Sequence, residues 1–215
     1  IPHMWFRNLQ LYRLADDQTF DAETLRAALA QKAFKPCGGL DTHRSGWTPP
    51  AGRESLDLVH AAQGKLLVCQ KRQDRLLPAG VIREALDEKL EEISERENRP
   101  VGRREKRQLR DDVVSQMLPK AFTQSRLRHA YIDPTLGLIV VDASTAKQAE
   151  ELRSLLRETL GSLKVTPLTV ARSPAAVLTG WLEKRPASGF SLADECELRE
   201  PVDHGAVVRG RRIDL

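Results

Sequence analysis

The chain reads as an α+β protein: mainly antiparallel sheet with packed helices and a projecting helical hairpin arm. Three observations predict it. Short alternating or β-branched runs occur on both sides of the chain's middle, at residues 5–14, 65–71 and 137–143. Two capped amphipathic segments begin near Asp21 and Ser144. A long helical pattern between them is broken once, at Asn98-Arg99-Pro100-Val101-Gly102, so its halves fold back as an antiparallel pair.

The elements follow in order. Residues 5–14 alternate, with Phe6, Asn8, Gln10 and Tyr12 on one face and Trp5, Arg7, Leu9, Leu11 and Arg13 on the other. Asp21 caps a helix to about Phe34, its inner stripe Leu25, Ala28, Leu29 and Phe34. Residues 35–52 read as a Gly- and Pro-rich loop. Residues 56–62 and 65–71 read as strands joined by the hairpin signal Gln63-Gly64. Pro78 opens the first arm helix, with Leu86, Leu90 and Ile93 inward; the second presents Leu109, Val113, Val114 and Met117, and Pro119 ends it. Strands are expected at 126–133 and 137–143. A helix capped by Ser144 should bury Ala149, Leu152, Leu155, Leu156 and Leu160 and stop at Gly161. A strand at 164–171, a helix from Pro174 carrying Trp181, and strands at 190–198 and 205–213 complete the pattern.

Charge is the feature that points to function. Over residues 83–99 seven acids face four bases, a net of −3; over 103–128 eight bases face three acids, a net of +5. The bases are Arg103, Arg104, Lys106, Arg107, Arg110, Lys120, Arg126 and Arg128. Clustered cations of this kind suit a polyanion held without reading its bases. A solvated, salt-bridge-laced helix pair is the other reading. Arg209, Arg211 and Arg212 add a second cluster on the last strand. Arg209 and Arg211 share a face about 6–7 Å apart, suited to phosphate contact or to solubilising an edge. Phe122, set among basic residues where the arm returns, reads either as an apolar cap on the body or as an exposed knob for a partner subunit or DNA.

Other classes find little support. The chain of 215 residues is 40% hydrophobic, 30% charged and only 5% aromatic, with net charge +4. No apolar run reaches the ~20 residues of a membrane span. The three cysteines, Cys37, Cys69 and Cys196, have no zinc spacing and read as reduced thiols in a cytosolic protein. No nucleotide-binding glycine motif, P-loop, HExxH or GxSxG is present. Cys37 beside His43 reads as structural, His60, His129 and His204 stand alone, and Asp142 reads as part of the capping of the Ser144 helix. No enzyme, metal or cofactor is expected. Ile1-Pro2-His3 reads as a cloning remnant before Met4, and the start does not have the form of a signal peptide.

Ordered motifs then carry a resemblance. They are Met4-Trp5-Phe6-Arg7-Asn8-Leu9-Gln10-Leu11-Tyr12-Arg13-Leu14, Phe34-Lys35-Pro36-Cys37-Gly38, Gly46-Trp47-Thr48-Pro49-Pro50, Leu76-Leu77-Pro78, Leu118-Pro119-Lys120-Ala121-Phe122 and Gly137-Leu138-Ile139-Val140-Val141-Asp142. Leu160-Gly161-Ser162-Leu163, Pro167-Leu168, the Trp181 helix, Gly189-Phe190 and Asp194-Glu195-Cys196-Glu197-Leu198 continue it. Together they resemble the bacterial recombination-associated RdgC family over residues 4–215. The resemblance implies a cytoplasmic, nucleoid-associated protein without enzymatic activity. Such a protein binds double-stranded DNA with little sequence preference, as a ring-shaped homodimer, and restrains RecA-driven recombination. It also implies a central domain over 4–77 and 119–185, a helical tip over 78–118, and the start of a base domain over 186–215. Members of the family run on past the position of Leu215, so the rest of that base is expected to be absent. A module that acts on the recombinase filament through its arm is the alternative.

Overall fold

Alternation sets the sheet, and the sheet sets where charge lies. The computed structural model describes residues 6–52, 54–200, 202 and 205–211. The chain divides into two compact units, Ile1–Leu168 and Thr169–Leu215. The first contains β1 (Leu9–Leu14), α1 (Ala22–Gln31), β2 (His43–Thr48), β3 (His60–Ala62), β4 (Lys65–Arg75), α2 (Ala79–Glu97), α3 (Arg103–Met117), β5 (Thr123–Asp133), β6 (Leu138–Asp142), α4 (Ala146–Leu160) and β7 (Val165–Pro167). Its seven-stranded sheet runs β2-β4-β5-β6-β1-β7, with β3 also on β4, and every strand pair is antiparallel. The α+β expectation therefore holds.

One face carries the core. Tyr12, Leu14, Trp47, Leu66, Val68, Ala130, Ile132, Ile139 and Val141 pack with Leu25 and Leu29 of α1 and with Ala149, Leu152 and Leu156 of α4. Both helices start on side-chain caps: Asp21 accepts from the Thr24 amide at 2.9 Å, and Thr145 accepts from the Gln148 amide at 3.3 Å. The cap of α4 is thus Thr145, not Ser144. Ser144 instead gives its amide and hydroxyl to the Gln148 side chain, at 3.2 and 3.0 Å. The β3–β4 hairpin turns at Gln63 and Gly64, both at positive φ (50° and 73°), as a two-residue primed turn requires.

Several expected boundaries move. β2 lies inside the stretch that reads as a loop. Its Trp47 is buried and donates its indole N–H to Thr159 Oγ1 of α4 at 2.8 Å. The backbone after α1 runs alongside, with the Phe34 amide bonded to Trp47 O and the Trp47 amide to Lys32 O. A Cβ at Gly46 would lie 2.5 Å from Phe34 Cα, so only glycine fits there. Helix α1 accordingly stops at Gln31, short of Phe34. β1 starts at Leu9, because the amides of Arg7 and Asn8 go to Asp142 Oδ1, each at 3.2 Å, rather than to a ladder. This clamp replaces the capping role expected of Asp142. β4 and β5 each reach 11 residues, whereas β3 and β7 shrink to three.

α2 and α3 form the hairpin arm, reversing at Asn98 in the left-handed region (φ 48°). Leu86 and Val113 are buried and Leu90, Ile93 and Leu109 half-buried, outside the main core. A 3-10 turn, Leu118–Lys120, follows Met117, so Pro119 reshapes the end of the arm without breaking it sharply. The Arg75 guanidinium fastens this return, donating to Pro119 O and Ala121 O at 3.0 Å and to Gly38 O at 2.9 Å.

Asp133 supplies a pH test. It is 2% exposed, accepts the amides of Thr135 and Leu136 at 3.1 Å, and pairs with Lys65 at 3.4 Å. These bonds, Leu136's first, hold its carboxyl below the ordinary range. A folded pKa below the unfolded value of about 3.9 stabilises the fold above that pH and is lost as pH falls through the folded pKa. Asp133→Asn should therefore be less stable than the parent at neutral pH, with the gap in melting temperature closing below about pH 4. A gap independent of pH would contradict this.

In the second unit α5 (Pro174–Glu183) is capped by Ser173, and β8 (Glu195–Arg199) pairs antiparallel with β9 (Val207–Arg211). Trp181 and Phe190 pack with ring centroids 5.1 Å apart. β8 begins at Glu195 and not at Phe190, and β9 begins at Val207 and not at Gly205, while the expected end of that last strand at Arg212 and Ile213 lies outside the described residues.

Candidate nucleic-acid interface

Helical geometry decides what the arm presents. Arg103, Arg107 and Arg110 recur at i, i+4 and i+7, so they form one row rising along α3 over about 10 Å. Arg104 and Lys106 flank it. All five side chains are exposed, and among the described residues none of the five forms an ion pair.

The acids of α2 do not neutralise that row. Glu84, Asp87, Glu88, Glu91, Glu92 and Glu95 are exposed, and among the described residues no ion pair joins an α2 acid to an α3 base. Leu86, Leu90 and Ile93 face inward, which turns those acids outward. The salt-bridge-laced reading holds only at the tip. There Arg99 grips Glu105 through two bonds of 2.9 Å and reaches Glu97 at 2.6 Å. Arg99 pulls the Glu105 carboxyl below its usual range, and the same bonds raise the guanidinium further. The one acid in the first turn of α3 is thereby committed to Arg99 and does not offset the arginine row.

The remaining predicted residues fall into different settings. Lys120 is exposed at the arm's return, and Arg126 is exposed on β5, where it donates to the Gln124 side-chain oxygen at 3.1 Å. Arg128 is half-buried and paired with Glu151 at 3.2 Å, so its charge is partly spent inside the fold. Phe122 is 84% exposed. It does not cap the body; Leu118 is the buried apolar residue at that junction. In the second unit, Arg209 is held by Glu197 at 2.5 Å and Arg211 by Glu195 at 3.5 Å. Arg212 lies outside the described residues. Sequence reading missed the partners Glu195 and Glu197, although antiparallel pairing of the last two strands places them opposite Arg211 and Arg209.

Among the described residues no three His, Cys, Asp or Glu side chains converge in a way that could hold a metal ion. No helix among them is long and apolar enough to cross a membrane.

Comparison with known proteins places the chain. A family model described as "Putative exonuclease, RdgC" matches residues 4–215. The chain belongs to the RdgC family. A recombination-associated RdgC protein of Pseudomonas aeruginosa is 45% identical over 214 residues, covering 99% of this chain and 70% of the relative. Proteins of the same name from Pseudomonas syringae pv. tomato and Tolumonas auensis are 44% and 39% identical over the same shares. These RdgC relatives carry a recombination name and not an enzyme name, whereas the family description names an exonuclease.

Proposed function

We propose that this chain binds double-stranded DNA through its phosphate backbone, nearly blind to sequence, as a clamp-forming homodimer. Its role is to restrain RecA-mediated recombination on nucleoid DNA in the cytoplasm, without enzymatic activity. One observation carries the DNA reading: the row of Arg103, Arg107 and Arg110, flanked by Arg104 and Lys106, is exposed and, among the described residues, free of acidic partners. Unpaired arginines in a row suit successive phosphates and carry no base code. Lys120 and Arg126, both exposed, are assigned to the same role. Arg209, Arg211 and Arg212 are assigned a weaker part, since Glu197 and Glu195 hold the first two. Phe122, bare to solvent, is assigned to contact with DNA or with the second subunit. The recombination name of the relatives supports the setting.

Light scattering of the protein with a short duplex should give a complex containing two copies of the chain; a single copy per duplex contradicts the dimer. The family description supports a second reading, a nuclease. Incubating linear duplex with the protein and Mg²⁺ separates the two: full-length strands are expected, and progressive shortening from the ends favours the exonuclease.

A further inference from the structure

A second basic cluster lies on the outer half of the helix-covered sheet face. Arg72 of β4 and Arg126 of β5 stand directly opposite one another in register, and Arg128 follows two positions along β5. Opposed partners have Cβ atoms about 5 Å apart, and residues two apart on one strand rise about 6.6 Å. Three guanidinium stems thus leave one small patch, and like charges directly opposite weaken a sheet. With Gln70, Asp74, Gln148 and Glu151 they line a cleft of about 440 Å³.

The acids of the cleft offset this charge incompletely. Asp74 takes Arg72 Nε at 2.9 Å. Glu151 Oε2 lies 3.2 Å from Arg128 Nη1 and 3.7 Å from Arg72 Nη1. Among the described residues Arg126 finds only an amide oxygen, so three cations face two carboxylates. The buried Gln70 side chain accepts from Arg128 at 3.3 Å and helps fix its fork. Glu151 Oε2 therefore sits where two guanidinium groups converge, a position suited to a phosphate oxygen.

We propose that this cleft is a phosphate site with Arg72, Arg126 and Arg128 as donors, in which the Glu151 carboxylate is a resident occupant that an incoming phosphate displaces. The phosphate belongs either to a nucleic-acid backbone, in which case the site deepens the DNA reading above and rests on it, or to free phosphate. Glu151→Gln removes the competing charge, and Arg126→Gln removes an exposed donor. Both are made in the full chain, with unchanged melting as the check on folding.

With inorganic phosphate as the probe, Glu151→Gln should tighten binding by roughly five- to tenfold and Arg126→Gln should weaken it by a similar factor. A labelled short duplex is titrated in parallel. If it follows the same pattern, with the salt slope flattened by ~0.9 in Arg126→Gln, the ligand is backbone phosphate. If only inorganic phosphate follows it, the ligand is free phosphate. Phosphate binding indifferent to both variants overturns the site, even if duplex binding persists through α3 and the proposed function stands. Phosphate binding that follows the pattern, with no duplex binding by the parent, retains the site and sinks that function.

Discussion

Replacing Arg103, Arg104, Arg107 and Arg110 together by glutamate is expected to lower duplex affinity by about a hundredfold or more at moderate salt, and to flatten the salt slope by ~0.9 for each phosphate no longer engaged. The effect should be the same for any duplex sequence, because these side chains meet the backbone. Folding should survive, since all four are exposed and Val113, Leu109 and Leu86 are untouched. Neutralising Glu84, Glu88, Glu91 and Glu95 to glutamine is the matched control. Those side chains are exposed and, among the described residues, pair with no base of α3, so the control should leave binding unchanged or slightly tighter. Fluorescence anisotropy of a labelled duplex at several salt concentrations measures both. Unchanged affinity in the arginine variant would mean that α3 faces away from DNA.

The second large effect concerns the body. Trp47→Ala should cost about 3–5 kcal/mol, the range for removing a buried aromatic from a packed core. Trp47 is 1% exposed and joins three parts of the fold: β2, the backbone after α1, and α4 through Thr159. A loss of that size is a large fraction of the roughly 5–15 kcal/mol that holds a domain together. Trp47→Phe keeps most of the apolar area and loses the indole hydrogen bond, so it should cost closer to ~1–2 kcal/mol. Urea unfolding followed by far-UV circular dichroism reads both. A cost under ~1 kcal/mol for the alanine variant would show that β2 is dispensable.

The arm was legible because its signals are local. A 3.6-residue apolar stripe, the Pro100–Gly102 break and the run of charge all lie within one stretch of sequence, and helices form from such stretches. The strands carrying Leu66, Val68, Ile139 and Val141 were legible for a similar reason: each is a short apolar run, and in β6 Ile139, Val140 and Val141 are buried on both faces. β2 was not, because Gly46 is there for the close passage of Phe34, and the strand exists only by docking on β4. Residues 72–75 and 123–125 extend β4 and β5 beyond the runs read as strands, and they are Arg, Gln, Asp, Arg and Thr, Gln, Ser, none of them fully buried. Without a buried face there is no apolar period to detect. Asp142 looked like part of a helix start because its true partners, the amides of Arg7 and Asn8, lie more than 130 residues away.

The candidate site divides along the same line. The exposure of the α3 row follows from helical spacing and the neighbouring apolar stripe. The pairing of Arg128 with Glu151, and of Arg209 with Glu197, depends on neighbours that sequence spacing does not encode. Phe122 shows the limit from the other side. Its neighbours fit either a cap or an exposed knob, and Leu118 fills the apolar place at the junction, which leaves the ring in solvent.

The central claim is phosphate contact without base reading. Its most direct test is the affinity of the unaltered chain for two duplexes of unrelated sequence, measured as salt is raised. A steep linear fall of log affinity with log salt is expected, with one slope for both sequences and affinities within about threefold of each other. Binding indifferent to salt, or a preference of more than about a hundredfold for one sequence, would contradict it.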